Sequence, residues 1–365
     1  MRNLRNCRTG LHRGRKIRSS WRPAPGAVAS LLAAALISAM VPASVSAGAA
    51  RKGLVSLKVI LPYYPTAEDA GTAVAVVQGF YKQEGLTVTL EEGTTNSATD
   101  VDEVASGSVQ IGEVASSPYL IQADSTGVPV KAFGAIFTKH PYAFYSLPTD
   151  PVTSPKDFIK KTIKTIGAEP GNTVLIDAML YENGLQKYIS TVNKKIVSSA
   201  SVAPLLDHKE QIQTEWATSA GTLKPLGKHY VQLLLWTTGV HLSADVLFAK
   251  TSYITTHKKV LEEFMTATAR GWIYARTHRS QAVHDLVKLF KSLTYSETLI
   301  TLTRCLPYVF NATSLAGGFG TVSASAWTGI AHVYKALGKI KKVPSVSQLL
   351  TLSILAATKK ARSFK

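Results

Sequence analysis

Cysteine is nearly absent. The 365 residues hold two, Cys7 and Cys305, so no disulfide framework and no thiolate metal cluster is available. No HExxH, CxxC or GxSxG motif occurs, and the nine histidines include no pair at metal-ligand spacing. The run Gly221-Thr-Leu-Lys-Pro-Leu-Gly227-Lys228-His229 only mimics a phosphate loop. It has one residue too many between its glycines, contains Pro225, and lacks the hydroxyl residue after its lysine. No internal repeat or low-complexity tract is present. Each absence removes a class of function: disulfide scaffold, zinc hydrolase, serine hydrolase, nucleotide-binding protein.

Acidic residues are also missing from one region. The chain carries 41 Lys and Arg against 23 Asp and Glu. Residues 1–47 hold eight of the basic residues and none of the acidic ones, so 33 basic side chains face 23 acidic ones over the remainder. That remainder is dispersed in short pairs such as Lys160-Lys161, Lys194-Lys195 and Lys341-Lys342. Nucleic-acid binders concentrate charge on one face, so no nucleic-acid partner is expected. The basic stretch 1–22 is followed by the uncharged run AVASLLAAALISAMV and by Val45-Ser46-Ala47. This is the order of a secretory signal, with cleavage expected after Ala47 or Ala49. The apolar run is shorter than the roughly twenty residues a membrane span needs. Cys7 precedes the run, whereas a lipid anchor needs cysteine at the cleavage site. The expected product is therefore exported, free of the membrane, and periplasmic.

Beyond the signal, length favours two domains. Residues 54–61 read as a strand and 72–84 as a helix stopped by Gly85. Strands at 86–90, 109–112, 129–137 and 142–147 alternate with helices at 99–106 and 117–125, which predicts βαβ units and a mainly parallel sheet. The polar, proline-flanked stretch 148–155 reads as a crossover. A second α/β series follows: strands 162–166, 195–198, 211–214 and 231–236, with helices 172–182 and 203–208. VHLSADVLFA, 240–249, reads as a return strand. Helices 256–276, 280–290, 296–305, 323–337 and 345–361 complete the chain, with Trp272 and Trp327 on buried faces. The predicted fold is α/β: two lobes joined by two crossover strands, with a ligand cleft between them. The first lobe is 54–147 plus 242–365 and the second is 148–241.

Five segments now carry a resemblance. Gly79-Phe80-Tyr81-Lys-Gln-Glu84-Gly85-Leu86, Val104-Ala-Ser-Gly107-Ser-Val-Gln-Ile-Gly112, Ala135-Ile-Phe-Thr-Lys-His-Pro141, Ser154-Pro155-Lys156-Asp157-Phe158 and Ala267-Thr-Ala-Arg270-Gly271-Trp272 stand in the order seen in periplasmic substrate-binding proteins of ABC importers for aliphatic sulfonates, nitrate and thiamine-pyrimidine precursors. The chain resembles that family over 55–362. The resemblance implies the type II periplasmic-binding-protein fold, a small-molecule ligand captured by hinge closure, and an ABC permease as partner. A monomer without cofactor or metal is expected. The loop Pro65-Thr-Ala-Glu68-Asp69-Ala70-Gly71 is similar to the first loop of the pyrimidine-precursor binders, which makes an aminopyrimidine or similar heteroaromatic the first ligand class and a sulfonate or nitrate the second. A pyrimidine synthase of thiamine biosynthesis shares the fold, but its cysteine-rich motif has no counterpart here, so a binder and not an enzyme is expected.

Ligands of such folds bind beyond the carboxyl ends of strands. Tyr64 is placed to stack on a planar ligand, and Glu68 or Asp69 to accept hydrogen bonds from an amino group. Glu113 ends a strand, and Ser116 and Ser117 open a helix, with Ser117 as its N-cap. Asn172 and Thr173 begin the corresponding helix of the second lobe, after Glu169. Glu215 and Trp216 follow a second-lobe strand, and Asp245 lies beside the second crossover.

Overall fold

The computed structural model describes residues 53–94, 97–166, 170–197 and 201–364. The expected export signal and Glu169 lie outside the described residues. No described helix is long and apolar enough to cross a membrane.

Ten strands run in chain order as β1 (Val55–Ile60), β2 (Leu86–Glu91), β3 (Ile111–Ser116), β4 (Val130–Phe137), β5 (Tyr142–Ser146), β6 (Thr162–Ile166), β7 (Asn193–Val197), β8 (Ile212–Trp216), β9 (Val231–Leu234) and β10 (Ala244–Lys250). They form two five-stranded sheets, ordered β2-β1-β3-β10-β4 and β7-β6-β8-β5-β9. The helices are α1 (Ala70–Val77), α2 (Phe80–Gln83), α3 (Ser97–Ser106), α4 (Ser117–Ser125), α5 (Pro170–Glu182), α6 (Ala203–Leu206), α7 (Ala220–Leu223), α8 (Thr251–Thr256), α9 (Lys258–Thr277), α10 (Arg279–Leu289), α11 (Tyr295–Val309), α12 (Ala312–Gly317), α13 (Ala324–Ala336), α14 (Val346–Leu349) and α15 (Ser353–Ala357).

Four sequence expectations are corrected. The sheets are mixed, because β10 runs antiparallel to β3 and β4, and β5 antiparallel to β8 and β9. These are the strands that arrive from the other sheet, so they enter from the opposite end. The strand at 142–147 was grouped with the first half, yet β5 belongs to the second sheet; its all-apolar pattern carries no mark of which sheet buries it. The helix over 72–84 breaks at Gly79, whose φ of 72° leaves the helical region and lets the chain turn between α1 and α2. The helix over 345–361 splits into α14 and α15, because residues 350–352 are taken up by the edge of the first sheet: Leu350 bridges Ala132, and the Thr351 N–H donates to the Ala132 carbonyl at 2.9 Å.

Two chain segments, between β4 and β5 and between β9 and β10, pass from sheet to sheet. They are bonded to each other, the His140 N–H donating to the Leu242 carbonyl at 3.0 Å. The His140 ring is buried, and its Nδ1 accepts the Tyr142 N–H at 3.0 Å. Burial holds its pKa down to about 3, so the ring is neutral and can serve as an acceptor there. Trp272 and Trp327 are fully buried, as the helical spacing predicted.

Cys305 is buried on α11 and its thiol is pushed up by burial and by surrounding carboxylates, Glu68 foremost. Reactivity needs an accessible thiolate. A thiol-specific reagent should therefore leave Cys305 unlabelled in the native protein and label it fully in denaturant; peptide mass mapping reads both states.

Candidate functional site

A cavity of about 460 Å³ opens between the two sheets. Its walls come from both: Pro62, Tyr63 and 65–68 after β1, Ala115 and Tyr119 at the β3–α4 junction and Asp245 on β10 from one side, and Tyr142, Thr214, Glu215, Trp216 and 219–222 from the other. Thr94, Ser97, Asn172 at the start of α5, and 292–294, Glu297, Thr298 and Thr301 complete it. Among the described residues, none that lines it is Lys, Arg or His.

The acidic residues dominate its electrostatics. Asp245 is 1% exposed, and neither carboxyl oxygen has a hydrogen-bond partner. Its φ of +46° is a left-handed conformation that a non-glycine residue adopts at some cost. The strained backbone aims the carboxyl into the cavity. Glu113 sits on the adjacent strand, fully buried; its Oε1 accepts from the Thr72 hydroxyl at 3.4 Å and its Oε2 has no partner. Asp69 is buried and accepts the Thr66 N–H at 2.8 Å. Glu68 accepts from the Thr66 hydroxyl at 3.2 Å and, across the cleft, from the Thr218 hydroxyl. Glu215 accepts the Trp216 N–H at 2.8 Å and the Ser219 hydroxyl at 3.0 Å through one oxygen, while the other is unpartnered.

Withdrawal from water favours the neutral form of a carboxyl. Burial pushes Glu68 and Glu215 up to about 7 and Asp69 up to about 8. Glu113 is raised well above the ordinary range by burial and then by the charge of Asp69. Asp245 is raised likewise, by burial and then by Glu68, Glu113 and Asp69 in turn. The cavity concentrates buried carboxyls, and among them both oxygens of Asp245 and one each of Glu113 and Glu215 have no hydrogen-bond partner.

Aromatic rings frame it. Trp216 stands edge-on to His140 at 5.2 Å and 6.2 Å from Phe137, so the crossing segment and the first sheet fix its plane. Tyr63 lines the cavity. Tyr64, the residue singled out for stacking, is 54% exposed and lies edge-on to Tyr63 at 4.8 Å, outside the lining.

Of the residues marked from sequence, Glu68, Asn172, Glu215, Trp216 and Asp245 line the cavity together. Asp69 and Glu113 stand behind them, acting through charge. Ser116, not Ser117, is the N-cap of α4, since the helix begins one residue earlier than a serine cap at 117 requires. Neither serine lines the cavity; the Ser117 hydroxyl is buried without a partner, and Thr173 lies next to the lining residue Asn172. Sequence reasoning passed over Tyr63, Tyr119, Tyr142, Thr218 and Glu297. Glu297 approaches from α11 so closely that a Cβ at Gly221 would fall on its carboxylate. The one available signal was Tyr142, which follows a proline where the chain changes sheets.

Two sheets of this topology, linked by two crossing segments and enclosing a cavity, define the two-lobed fold of the periplasmic binding proteins. The periplasmic aliphatic sulphonate binding protein SsuA from Escherichia coli superposes with a TM-score of 0.62 at 14% identity, over 83% of this chain and 99% of that one. The periplasmic nitrate-binding protein NrtA from Synechocystis PCC 6803 gives 0.51 at 13% identity, over 67% and 69%. Residues 66–282 match the family described as NMT1/THI5 like, and the chain belongs to it. A relative, the riboflavin-binding protein RibY of Chloroflexus aurantiacus, is 21% identical over 317 residues, 86% of this chain and 90% of its own length.

Proposed function

We propose that this protein is an exported solute-binding protein that captures a nitrogen-rich heteroaromatic molecule in the inter-sheet cavity and delivers it to an ABC permease. The observation that carries the ligand class is Asp245: two buried, unpartnered carboxyl oxygens facing a cavity whose described lining holds no cationic side chain. An unsatisfied buried carboxyl costs about 1–3 kcal/mol or more, and a ligand that donates hydrogen bonds removes that cost. Trp216 and Tyr63 supply flat apolar walls for a ring. The name of the C. aurantiacus relative, which binds a heteroaromatic, points the same way. A sulfonate or nitrate would meet carboxylates without a compensating cation, so the anion reading falls behind despite the fold shared with SsuA and NrtA. Capture requires no bond-making: ligand contacts from both walls stabilise the closed arrangement, and differential affinity for that arrangement does the rest.

A thermal-shift screen of the protein lacking residues 1–47 tests this. Riboflavin and aminopyrimidines are set against alkanesulfonates and nitrate. A ligand at a hundredfold excess over its Kd adds about 2.7 kcal/mol of stability, a clear rise in melting temperature. Glu215→Gln is expected to weaken that ligand roughly tenfold, in line with the loss of one charge-assisted hydrogen bond. Stabilisation by sulfonates or nitrate alone would overturn the reading.

A further inference from the structure

We propose that the cavity takes its ligand as a cation, seating an amidinium-like N–C–N edge on Asp245, and that seating it releases protons from the surrounding carboxyl cluster. The inference rests on the proposed function and sharpens it from "donor-rich" to "positively charged".

The geometry carries it. Asp245 presents two coplanar acceptors, both free and both buried, which is the arrangement a planar pair of N–H donors fits bidentately. Every ionisable side chain that faces it from the elements packed around it is acidic or neutral. The neighbouring β3 contributes Glu113, the loop after β1 contributes Glu68 and Asp69, and α11 contributes Glu297 and the thiol of Cys305. Tyr63 and Tyr119 add phenols from the same wall, and Glu215 and the phenol of Tyr142 stand across the cavity. The His140 ring is neutral and bonded to the backbone of Tyr142. Among the described residues, no lysine or arginine lines the cavity. A neutral ligand would leave that field uncompensated; one positive charge at its centre compensates several carboxylates at once.

Among the described residues, no group of three or more His, Cys, Asp or Glu converges as metal ligands.

The proton balance follows. Burial and crowding raise the Asp245 carboxyl well above its ordinary range, which favours the neutral form. A cation favours the carboxylate instead: seating one shifts the acid–carboxylate equilibrium toward the carboxylate, the released proton passes to solvent, and the two oxygens accept two N–H donors from the ligand. Binding and proton release are thus linked, and the affinity for a cation rises with pH across the range in which Asp245 titrates.

Benzamidine and benzamide form the test pair: nearly equal in shape, one a cation, one neutral. Titration calorimetry in two buffers of different ionisation enthalpy reads affinity and protons released together. Benzamidine should bind roughly thirtyfold tighter than benzamide, with proton release, and Asp245→Asn should erase the preference. The melting curve of Asp245→Asn verifies that the variant is folded. Equal binding of the two probes, no benzamidine binding at millimolar concentration, a preference that survives Asp245→Asn, or tight binding of zinc or calcium ions alone would each overturn the inference. Riboflavin or another neutral heteroaromatic binding where benzamidine does not would overturn it while leaving the proposed function standing. Binding of sulfonates alone would remove both.

Discussion

Gly271→Ala destabilises this protein by about 3 kcal/mol, at the upper end of overpacking costs. Helices α1 and α9 cross at Gly71 and Gly271, and a Cβ at Gly271 would overlap the carbonyl oxygen of Gly71. The obstacle is main chain in the first turn of α1, which cannot rotate aside as a side-chain tip does. The helices must separate, and Trp272, fully buried next to the contact, must lose packing with them. A Cβ at Gly71 would in turn strike the Trp272 ring, so the crossing is closed from both sides. At this chain length the melting temperature should fall by roughly 6–10 °C. Gly329→Ala in α13 is the control: nothing lies within reach of its Cβ, and removal of a helical glycine should leave stability unchanged or raise it by up to about 1 kcal/mol. A Gly271→Ala protein that melts with the parent would mean that α1 and α9 do not meet at these glycines.

Consequences of this crossing extend to the cavity. Helix α1 begins directly after Asp69, and Thr72 on its first turn donates to Glu113. The glycine contact therefore sets the depth at which the acidic loop enters the site. The sequence Ala-Thr-Ala-Arg270-Gly271-Trp272 is similar to a family segment, yet its role in close packing was not visible until Gly71, 200 residues earlier, was placed against it.

The same contrast runs through the site. Alternation of strands and helices disclosed the α/β class, the loop after the first strand disclosed Glu68, a strand end Glu215 and the second crossover Asp245, and all three face one cavity. Local pattern suffices there because a residue just past a strand is carried to the sheet's carboxyl edge by the strand itself. What pattern could not disclose was long-range placement. Tyr142–Ser146 is an unbroken buried strand, and such a run has no polar face from which its sheet can be read. Glu297 reaches the cavity from α11, for which the sequence carried only a helix assignment, and nothing in the spacing along that helix distinguishes an acid pointing inward from one facing solvent. Asp245 was marked for its position beside the crossover, but its left-handed backbone and unpaired oxygens are products of the bend that β10 makes between β3 and β4.

Without ligand, the protein should be most stable near pH 5 and should lose several kcal/mol by pH 8. The sign follows from the buried carboxyls. Glu215 titrates near 4.5 when exposed to water and near 7 when folded. Between those values the native state holds a proton that the unfolded chain has released, so each step up in pH favours unfolding. Its contribution is fully present below pH 4.5 and is lost as pH rises through 7, about 3 kcal/mol in all at 1.36 kcal/mol per unit. Asp69, raised to about 8, extends the window upward, and Glu113 and Asp245 are shifted in the same direction. On the acid side the slope reverses. Asp157 accepts the N–H groups of Thr153 and Ser154, at 2.9 Å each, which lowers its pKa; its contribution is present at neutral pH and disappears as pH falls below the ordinary carboxylate range. Melting curves from pH 4 to pH 9 check the dome. Glu215→Gln and Asp245→Asn should flatten its alkaline limb and raise the melting temperature at pH 8, because each deletes a charge that folding must bury. A parent protein whose stability is level or climbs from pH 5 to pH 8 would mean that these carboxyls are already hydrated or paired. A site that destabilises its own empty fold in this way is one whose vacant form is under electrostatic tension, and the compound that relieves it is the compound it binds best.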